Sequence, residues 1–350
     1  MTFLWYIPNQ VDPGHRGDDT VQGHNSLERL TELARLTEDH GWSGALLGTG
    51  WGRPDTFTVA TALAARTTTF QPLAAIRPGY WHPAHFASAA STLDQLSGGR
   101  LLINIVSGQD NLEAYGDSEG DQPQRYARTK EFLQLVRRLW TEEDVTFAGE
   151  YFSVTGSTVA TRPVVREGRL HPRLYFGGAS DAAQRVAATD ADVQLFWGEP
   201  LDGIAERISH LRDLELELGR EHAPLEFGLR ITTLVRDTAE EAWADAEAKV
   251  ATMAEARGNR DRRWFKAVGQ QRLLDLAERG EVLDDNLYTA PGKYGGGGAG
   301  TTWLVGSPDD VAKSLHRYRD LGITHFILSD TPYGEETIRI GDRLLPLLRQ

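Results

Sequence analysis

The sequence predicts a single (β/α)8 TIM barrel across residues 1–350, on three observations. Short apolar runs alternate with longer stretches of helical periodicity along most of the chain, the pattern of βα units around a parallel sheet. Eight such runs occur, which suits a closed barrel better than an open doubly wound sheet of five or six strands. The turn after the first run, Pro8 to Gly14, lacks the Gly-x-Gly-x-x-Gly that opens a dinucleotide fold.

Taken in order, the strand candidates are Phe3–Ile7, Gly44–Leu47, Pro72–Ile76, Leu101–Val106, Arg173–Phe176, Val193–Trp197, Phe227–Val235 and Thr324–Leu328. After the first, Asn25 with Glu28 reads as a capping-box-like helix start, Leu27, Leu30, Leu33 and Ala34 share one face, and Gly41 ends the helix. Asp181 to Ala188 reads as the helix after the fifth strand. In the last unit Ser307 is the predicted cap, Pro308 the first helical residue, Val311, Leu315 and Tyr318 the buried stripe, and Gly322 the stop. Leu344 to Leu348 closes the chain. Two segments depart from the repeat. Val145 to Ala160 alternates around Gly149 like a hairpin, and residues 257–302 form a long insertion ending in Tyr294, Gly295 to Gly298, Ala299 and Gly300. That glycine run reads as an active-site lid or hinge, or as a surface loop without a role.

Composition narrows the function. With 40% hydrophobic and 25% charged residues the chain is a globular protein with ample core material. A net charge of −13 disfavours nucleic acid and anionic membranes as partners, and an anionic substrate requires a local cluster of Arg or Lys. The absence of cysteine excludes disulfide scaffolds, zinc-thiolate sites and thiol nucleophiles. There is no basic leader and no apolar run long enough for a membrane span, so the expected location is the cytoplasm. No metal site is expected: His82 and His85 beside Pro83 read as a solvated helix start.

In such a barrel the chemistry sits at the carboxyl ends of the strands. Those positions hold Asn9 and Gln10, Arg53 and Asp55, Arg77, Asn104 and Ser107, Gly177 to Ser180, Trp197 and Glu199, Arg230 and Thr232, and Asp330 and Thr331. Alternation puts Arg230, Thr232 and Leu234 on one face of the seventh strand. If that face points inward, the guanidinium needs an anionic ligand or a structural carboxylate. Gly177, Gly178, Ala179 and Ser180 follow a strand and open a helix, which offers N–H groups and a hydroxyl to a phosphate, although Gly-Gly also serves simply to turn a chain. Trp197 is either a wall for a flat cofactor or ordinary core. Glu199 and Asp330 are candidates for the carboxylate pair of a glycosidase-like hydrolase.

Several motifs carry a resemblance over nearly the whole chain. Leu4-Trp5-Tyr6-Ile7-Pro8, Arg77-Pro78-Gly79, Leu96-Ser97-Gly98-Gly99-Arg100, Asn104-Ile105-Val106-Ser107-Gly108, Arg125-Tyr126, Tyr175 to Ser180, Trp197-Gly198-Glu199-Pro200 and Gly297 to Thr301 occur in this order. In this the chain is similar to the FMNH2-dependent alkanesulfonate monooxygenases of the bacterial luciferase-like superfamily. The resemblance implies FMN, supplied reduced by a separate NAD(P)H-dependent reductase, and O2 as co-substrate. It implies cleavage of an organosulfur substrate to sulfite and aldehyde, and homodimers or homotetramers. It also implies that Gly177, Gly178, Ala179, Ser180 and Tyr126 hold the FMN phosphate, that Ala75, Asn104, Ser107 and Trp197 contact the cofactor, and that Arg230 lies near the substrate.

The departures fall in the substrate half. Thr232 stands where that group has a histidine, Gln10 (with His15 further along) replaces an early histidine, and Arg53 lies where a cysteine is usual. Gly296 replaces the lid arginine, with Lys293 close by, and Thr331 replaces a tyrosine, with Tyr333 two residues on. The expected catalytic set is Arg230, Trp197 and Thr232, and the expected substrate contacts are Gln10, Arg53, Arg77, Arg230, Thr331 and Tyr333. These arginines suit a sulfonate, sulfinate or carboxylate, with a neutral sulfur compound such as a sulfone as the other candidate. A deazaflavin-dependent hydride transfer in the same superfamily is the alternative.

Overall fold

The computed structural model describes residues 1–9, 26–108, 110–117, 121–166, 168–256, 268–294 and 301–350. Strands and helices alternate from the start: β1 (Thr2–Ile7), α1 (Leu27–Asp39), β2 (Gly44–Leu47), α2 (Thr56–Ala64), β3 (Gln71–Ile76), α3 (Pro83–Leu96), β4 (Leu102–Ile105) and α4 (Gln122–Thr141). The hairpin of β5 (Val145–Ala148) and β6 (Ser153–Ser157) follows, then β7 (Arg173–Gly177), α5 (Asp181–Asp190), β8 (Val193–Trp197), α6 (Leu201–Glu217), β9 (Glu226–Val235) and α7 (Ala239–Ala256). The chain ends with α8 (Val268–Arg279), β10 (Val282–Leu283), β11 (Leu287–Tyr288), β12 (Trp303–Gly306), α9 (Pro308–Asp320), β13 (Ile323–Ser329), α10 (Tyr333–Arg343) and α11 (Leu345–Leu348).

Eight parallel strands close in the order β1–β2–β3–β4–β7–β8–β9–β13, with β13 pairing back onto β1. This is the predicted (β/α)8 barrel, with each of the eight strands starting and ending within one residue of its expected bounds. Closure follows from alternation. On β1, Leu4 and Tyr6 point into the barrel with Leu46, Leu73, Leu102, Tyr175, Leu195 and Ile327, whereas Phe3, Trp5 and Ile7 pack outward against the helices. The floor is polar. Tyr175 Oη bonds His325 Nδ1 at 3.0 Å, and His325 Nε2 meets Glu226 at 2.6 Å. Burial holds the imidazole below its ordinary pKa, which suits a neutral ring donating to Glu226 and accepting from Tyr175.

Helix signals are mostly where the sequence puts them. Ser307 and Asp310 form a capping box on α9, and Gly41 (φ 82°) and Gly322 (φ 106°) take the left-handed conformation that ends their helices. At α1 the cap is Ser26, whose Oγ accepts from the Arg29 N–H at 3.1 Å; Asn25 lies outside the described residues.

The insertion expected at 257–302 is described in part. Residues 268–294 form α8, the short strands β10 and β11 and a 3-10 turn at Ala290–Lys293, while the glycine run itself lies outside the described residues. β12 was not anticipated as a strand. It pairs in parallel with the outer half of β9, Trp303 opposite Thr232 through Gly306 opposite Val235, and antiparallel with β11. Leu234 accordingly leaves the barrel for a side core with Met253, Tyr288, Trp303 and Val305. Among the described residues no helix is long and apolar enough to cross a membrane.

Candidate active site

At the carboxyl ends of β4, β7, β8 and β9 a cleft of about 430 Å3 opens into the barrel mouth, within the range of roughly 300 to 1,000 Å3 usual for small-molecule sites. One end is built by the turn from β7 into α5. Ser180 caps α5, its Oγ accepting from the Ala183 N–H at 3.3 Å, and Tyr126 of α4 hydrogen-bonds the same hydroxyl. Burial raises the Tyr126 phenol above its ordinary value, so it stays a neutral donor. A Cβ on Gly177 would meet nothing, whereas one on Gly178 would lie 2.5 Å from Ala183 Cβ. The first glycine leaves the cleft open and the second lets strand and helix approach.

The carbonyl of Gly178 accepts from Gln194 Nε2 at 3.0 Å and from Arg207 Nη2 at 3.1 Å. Arg207 in turn bonds Glu199 at 2.8 Å, and Arg272 of α8 reaches the same carboxylate at 2.9 and 2.5 Å. Among the described residues the cleft is lined by three arginines, Arg125, Arg207 and Arg230, and one carboxylate, Glu199, in a chain of net charge −13. That is the local cationic cluster an anionic ligand requires.

Farther in, Asn104 and Trp197 line the walls. The Asn104 Oδ1 is buried and has no hydrogen-bond partner among the described residues, so it offers an acceptor to a ligand N–H or O–H. Val268, Gly269 and Leu273 of α8 cover the mouth, and a Cβ on Gly269 would stand 3.3 Å from the Trp197 ring. Arg230 points into the barrel as alternation requires, its guanidinium carbon 4.8 Å from the Tyr6 ring centroid. Tyr333 packs against Tyr6 as well, ring centroids 5.8 Å apart and the planes tilted.

The expected site residues therefore divide. Asn104, Tyr126, Gly177, Gly178, Ala179, Ser180, Trp197 and Arg230 converge on the cleft. Ala75, Arg53 and Arg77 line a second cleft of about 380 Å3, walled by Tyr80, Trp81 and Tyr115. There Arg53 donates to the Asn9 carbonyl at 2.9 Å, and Arg77 donates to the Gly108 carbonyl at 2.7 Å and forms an ion pair with Asp110 at 3.2 Å. Exposed His85 edges this second cleft and stacks on Trp81. Ser107 is turned away, bonded to Thr129 at 2.7 Å. Thr232 and Thr331 are fully buried outside the cleft, the latter's carbonyl held by Lys249 at 2.6 Å. Gln10 and His15 lie outside the described residues. Glu199 and Asp330 belong to different clusters, Glu199 with Arg207 and Arg272 and Asp330 with Lys249 and Arg236, so the hydrolase pair does not form. Among the described residues no group of His, Asp and Glu is placed to hold a metal ion.

Sequence reasoning assigned no role to Arg207, Arg272, Tyr6 or α8. Arg125 was visible beside Tyr126, but distant helical arginines carry no local signal.

The model of the luciferase-like monooxygenase family matches residues 1–325. The chain belongs to that family. It is thus a flavin-dependent oxidoreductase of the monooxygenase class. Solved structures repeat the fold at low identity. Riboflavin lyase, determined with modified FMN and riboflavin, is 20% identical with a TM-score of 0.80, the match covering all of this chain and 91% of that one. EDTA monooxygenase from Chelativorans sp. BNC1 is 18% identical, TM-score 0.78, covering 99% and 93%. An F420-dependent secondary alcohol dehydrogenase is 17% identical, TM-score 0.68, covering both chains completely. At these identities the likeness is one of fold, and the fold carries more than one chemistry.

Proposed function

We propose that the chain is the oxygenating component of a two-component system, taking reduced FMN from a separate NAD(P)H-dependent reductase and oxidising a small anionic substrate of the organosulfur class with O2. One observation supports this reading: a single cleft is lined, in the order of β7, β8 and β9, by the Gly177 to Ser180 turn, Trp197 and Arg230. A cofactor with a phosphate tail and a flat ring fits that order of groups, and the unsatisfied Asn104 Oδ1 fits its N–H or hydroxyl donors. Bound reduced FMN supplies the two electrons with which O2 is activated and one oxygen atom transferred.

The protein's own part is placement. The Gly178 to Ser180 backbone, the Ser180 hydroxyl and the Tyr126 phenol hold the phosphate at the start of α5. Trp197 flanks the ring. Arg230 holds the substrate's anionic group by a charge-assisted hydrogen bond. Val268 and Leu273 cover the mouth with apolar surface and keep water from the reacting centre. No histidine lines the cleft among the described residues, so proton transfer falls to the substrate, the cofactor or water.

The test combines purified protein with FMN, a flavin reductase, NADH, O2 and a panel of alkanesulfonates, sulfinates and sulfones. Sulfite release that requires every component supports the reading. Tight F420 binding without reduced-FMN binding would replace oxygenation with hydride transfer on the same cradle.

A further inference from the structure

The cleft residue Glu199 does more than neutralise a neighbour. Its carboxylate is buried and accepts from two guanidiniums that come from different helices, Arg207 of α6 and Arg272 of α8. Its main-chain carbonyl is fixed separately by the Tyr318 hydroxyl at 2.6 Å. Arg207 spans the pair and the phosphate cradle, with Nη1 on Glu199, Nη2 on the Gly178 carbonyl and its guanidinium carbon 4.6 Å from the Phe196 ring centroid.

The direction of that last carbonyl matters. Gln194, which also donates to it, stands on β8 between Val193 and Leu195, whose side chains fill the barrel, so Gln194 faces outward and draws the carbonyl outward with it. The Gly178–Ala179 peptide is trans, and in a trans peptide the N–H points opposite to the C=O. The Ala179 N–H therefore points away from the Gln194 and Arg207 donors, and Ala179 itself lines the cleft.

We propose that Glu199, Arg207 and Arg272 form a positioning relay through which α8, the helix covering the cleft, holds the Gly178–Ala179 peptide in its phosphate-binding orientation. The inference rests on the FMN reading of the cradle and adds to it a mechanical link. Arg272 does not line the cleft, yet it sets the geometry of Glu199 by a two-nitrogen fork. Coupling of this kind is reciprocal: occupancy of the cradle steadies α8 to the degree that α8 steadies the cradle.

The experiment compares FMN, riboflavin and inorganic phosphate as ligands of the whole protein. In the unmodified chain FMN should bind more tightly than riboflavin, and inorganic phosphate alone should slow amide hydrogen exchange in Val268–Arg279. Arg272→Gln should weaken FMN about tenfold or more, the scale of one charge-assisted hydrogen bond, leave riboflavin within about twofold, and abolish the phosphate effect on α8 exchange. Arg272→Lys keeps the charge without the fork and should lose most of the same factor; full retention would reduce Arg272 to a background charge and overturn the relay. Equal losses for FMN and riboflavin would overturn it too, since the helix would then act on the ring side. Should the unmodified protein fail to prefer FMN over riboflavin, the phosphate cradle itself is wrong. If it prefers FMN and Arg272→Gln preserves that preference, only the relay is wrong.

Discussion

The guanidinium of Arg230 lies over the ring of Tyr6, 4.8 Å from its centroid, inside the barrel mouth and beside Trp197, which is its partner across the β8–β9 ladder. A cation over a partly desolvated ring gains about 0.5 to 2 kcal/mol, so Tyr6 holds the arginine in place without neutralising it. Arg230→Ala should lower kcat/KM for an anionic substrate by about 10- to 100-fold, the loss of one charge-assisted hydrogen bond, with FMN affinity within about threefold. Tyr6→Leu should lower kcat/KM less, and Tyr6→Phe hardly at all. Steady-state kinetics beside flavin titration check both, and unaltered turnover in Arg230→Ala would assign the arginine to structure alone.

Ser180 has two roles that different substitutions separate. Ser180→Ala removes both the α5 cap, at about 1 kcal/mol of stability, and a phosphate contact, at about 1 to 2 kcal/mol of FMN affinity. Ser180→Asp keeps a good cap but sets a negative charge against the phosphate. Its melting temperature should stay near that of the unmodified protein while FMN binding disappears. Normal FMN binding by the Ser180→Asp protein would place the phosphate elsewhere.

Gly178 is required by crowding. A Cβ there would sit 2.5 Å from Ala183 Cβ, so Gly178→Ala should push the first turn of α5 off the strand, costing about 1 to 3 kcal/mol of stability and weakening FMN about tenfold or more. The double variant Gly178→Ala with Ala183→Gly removes the clash and should recover part of both losses, the rest remaining as backbone strain at the Gly178 φ of 158°. Failure of the second change to help would show that some other constraint acts at Gly178.

A pH dependence follows from Glu336, on α10 behind the rim. Burial, and next the nearby Asp330, push its carboxyl up to about 7, against the pull of Arg236, Arg339 and Lys249. Its folded value stands above its unfolded one, so the stability it contributes is complete below about 4.5 and is lost as pH rises through about 7. The melting temperature of the unmodified protein relative to Glu336→Gln should therefore fall between pH 5 and pH 8, by a few degrees. A difference that is constant over that range would mean that Glu336 does not titrate there.

What the sequence revealed and what it hid have separate physical causes. Eight strands were legible because each buries residues on both faces and reads as an apolar run, and the Gly177 to Ser180 turn because backbone geometry there demands small residues and a cap. β10 and β11, at two residues each, are too short to show a period. Arg53 and Arg77 looked like neighbours of Arg230 because they follow strands and Arg230 stands on one, but a barrel mouth has room for two clefts, and which one a side chain enters depends on loop paths. Thr232 follows the alternation of Arg230, yet β9 meets β12 from Thr232 onward and carries it into buried surroundings. Arg207 and Arg272 were hidden most completely, since a helical arginine looks the same in sequence whether it meets water or grips a carboxylate on another element.

β9 is held along its length by three strands: residues 226–230 pair with β8, 227–232 with β13, and 232–235 with β12. A strand so held cannot slip by two residues without unseating all three pairings, so the height of the guanidinium above the floor is fixed by register and not by the tension of a loop. Diversification of the compounds accepted would then proceed by lengthening and shortening the stretches around residues 49–55 and 78–85, on the opposite shore of the mouth, while 226–235 keeps its length.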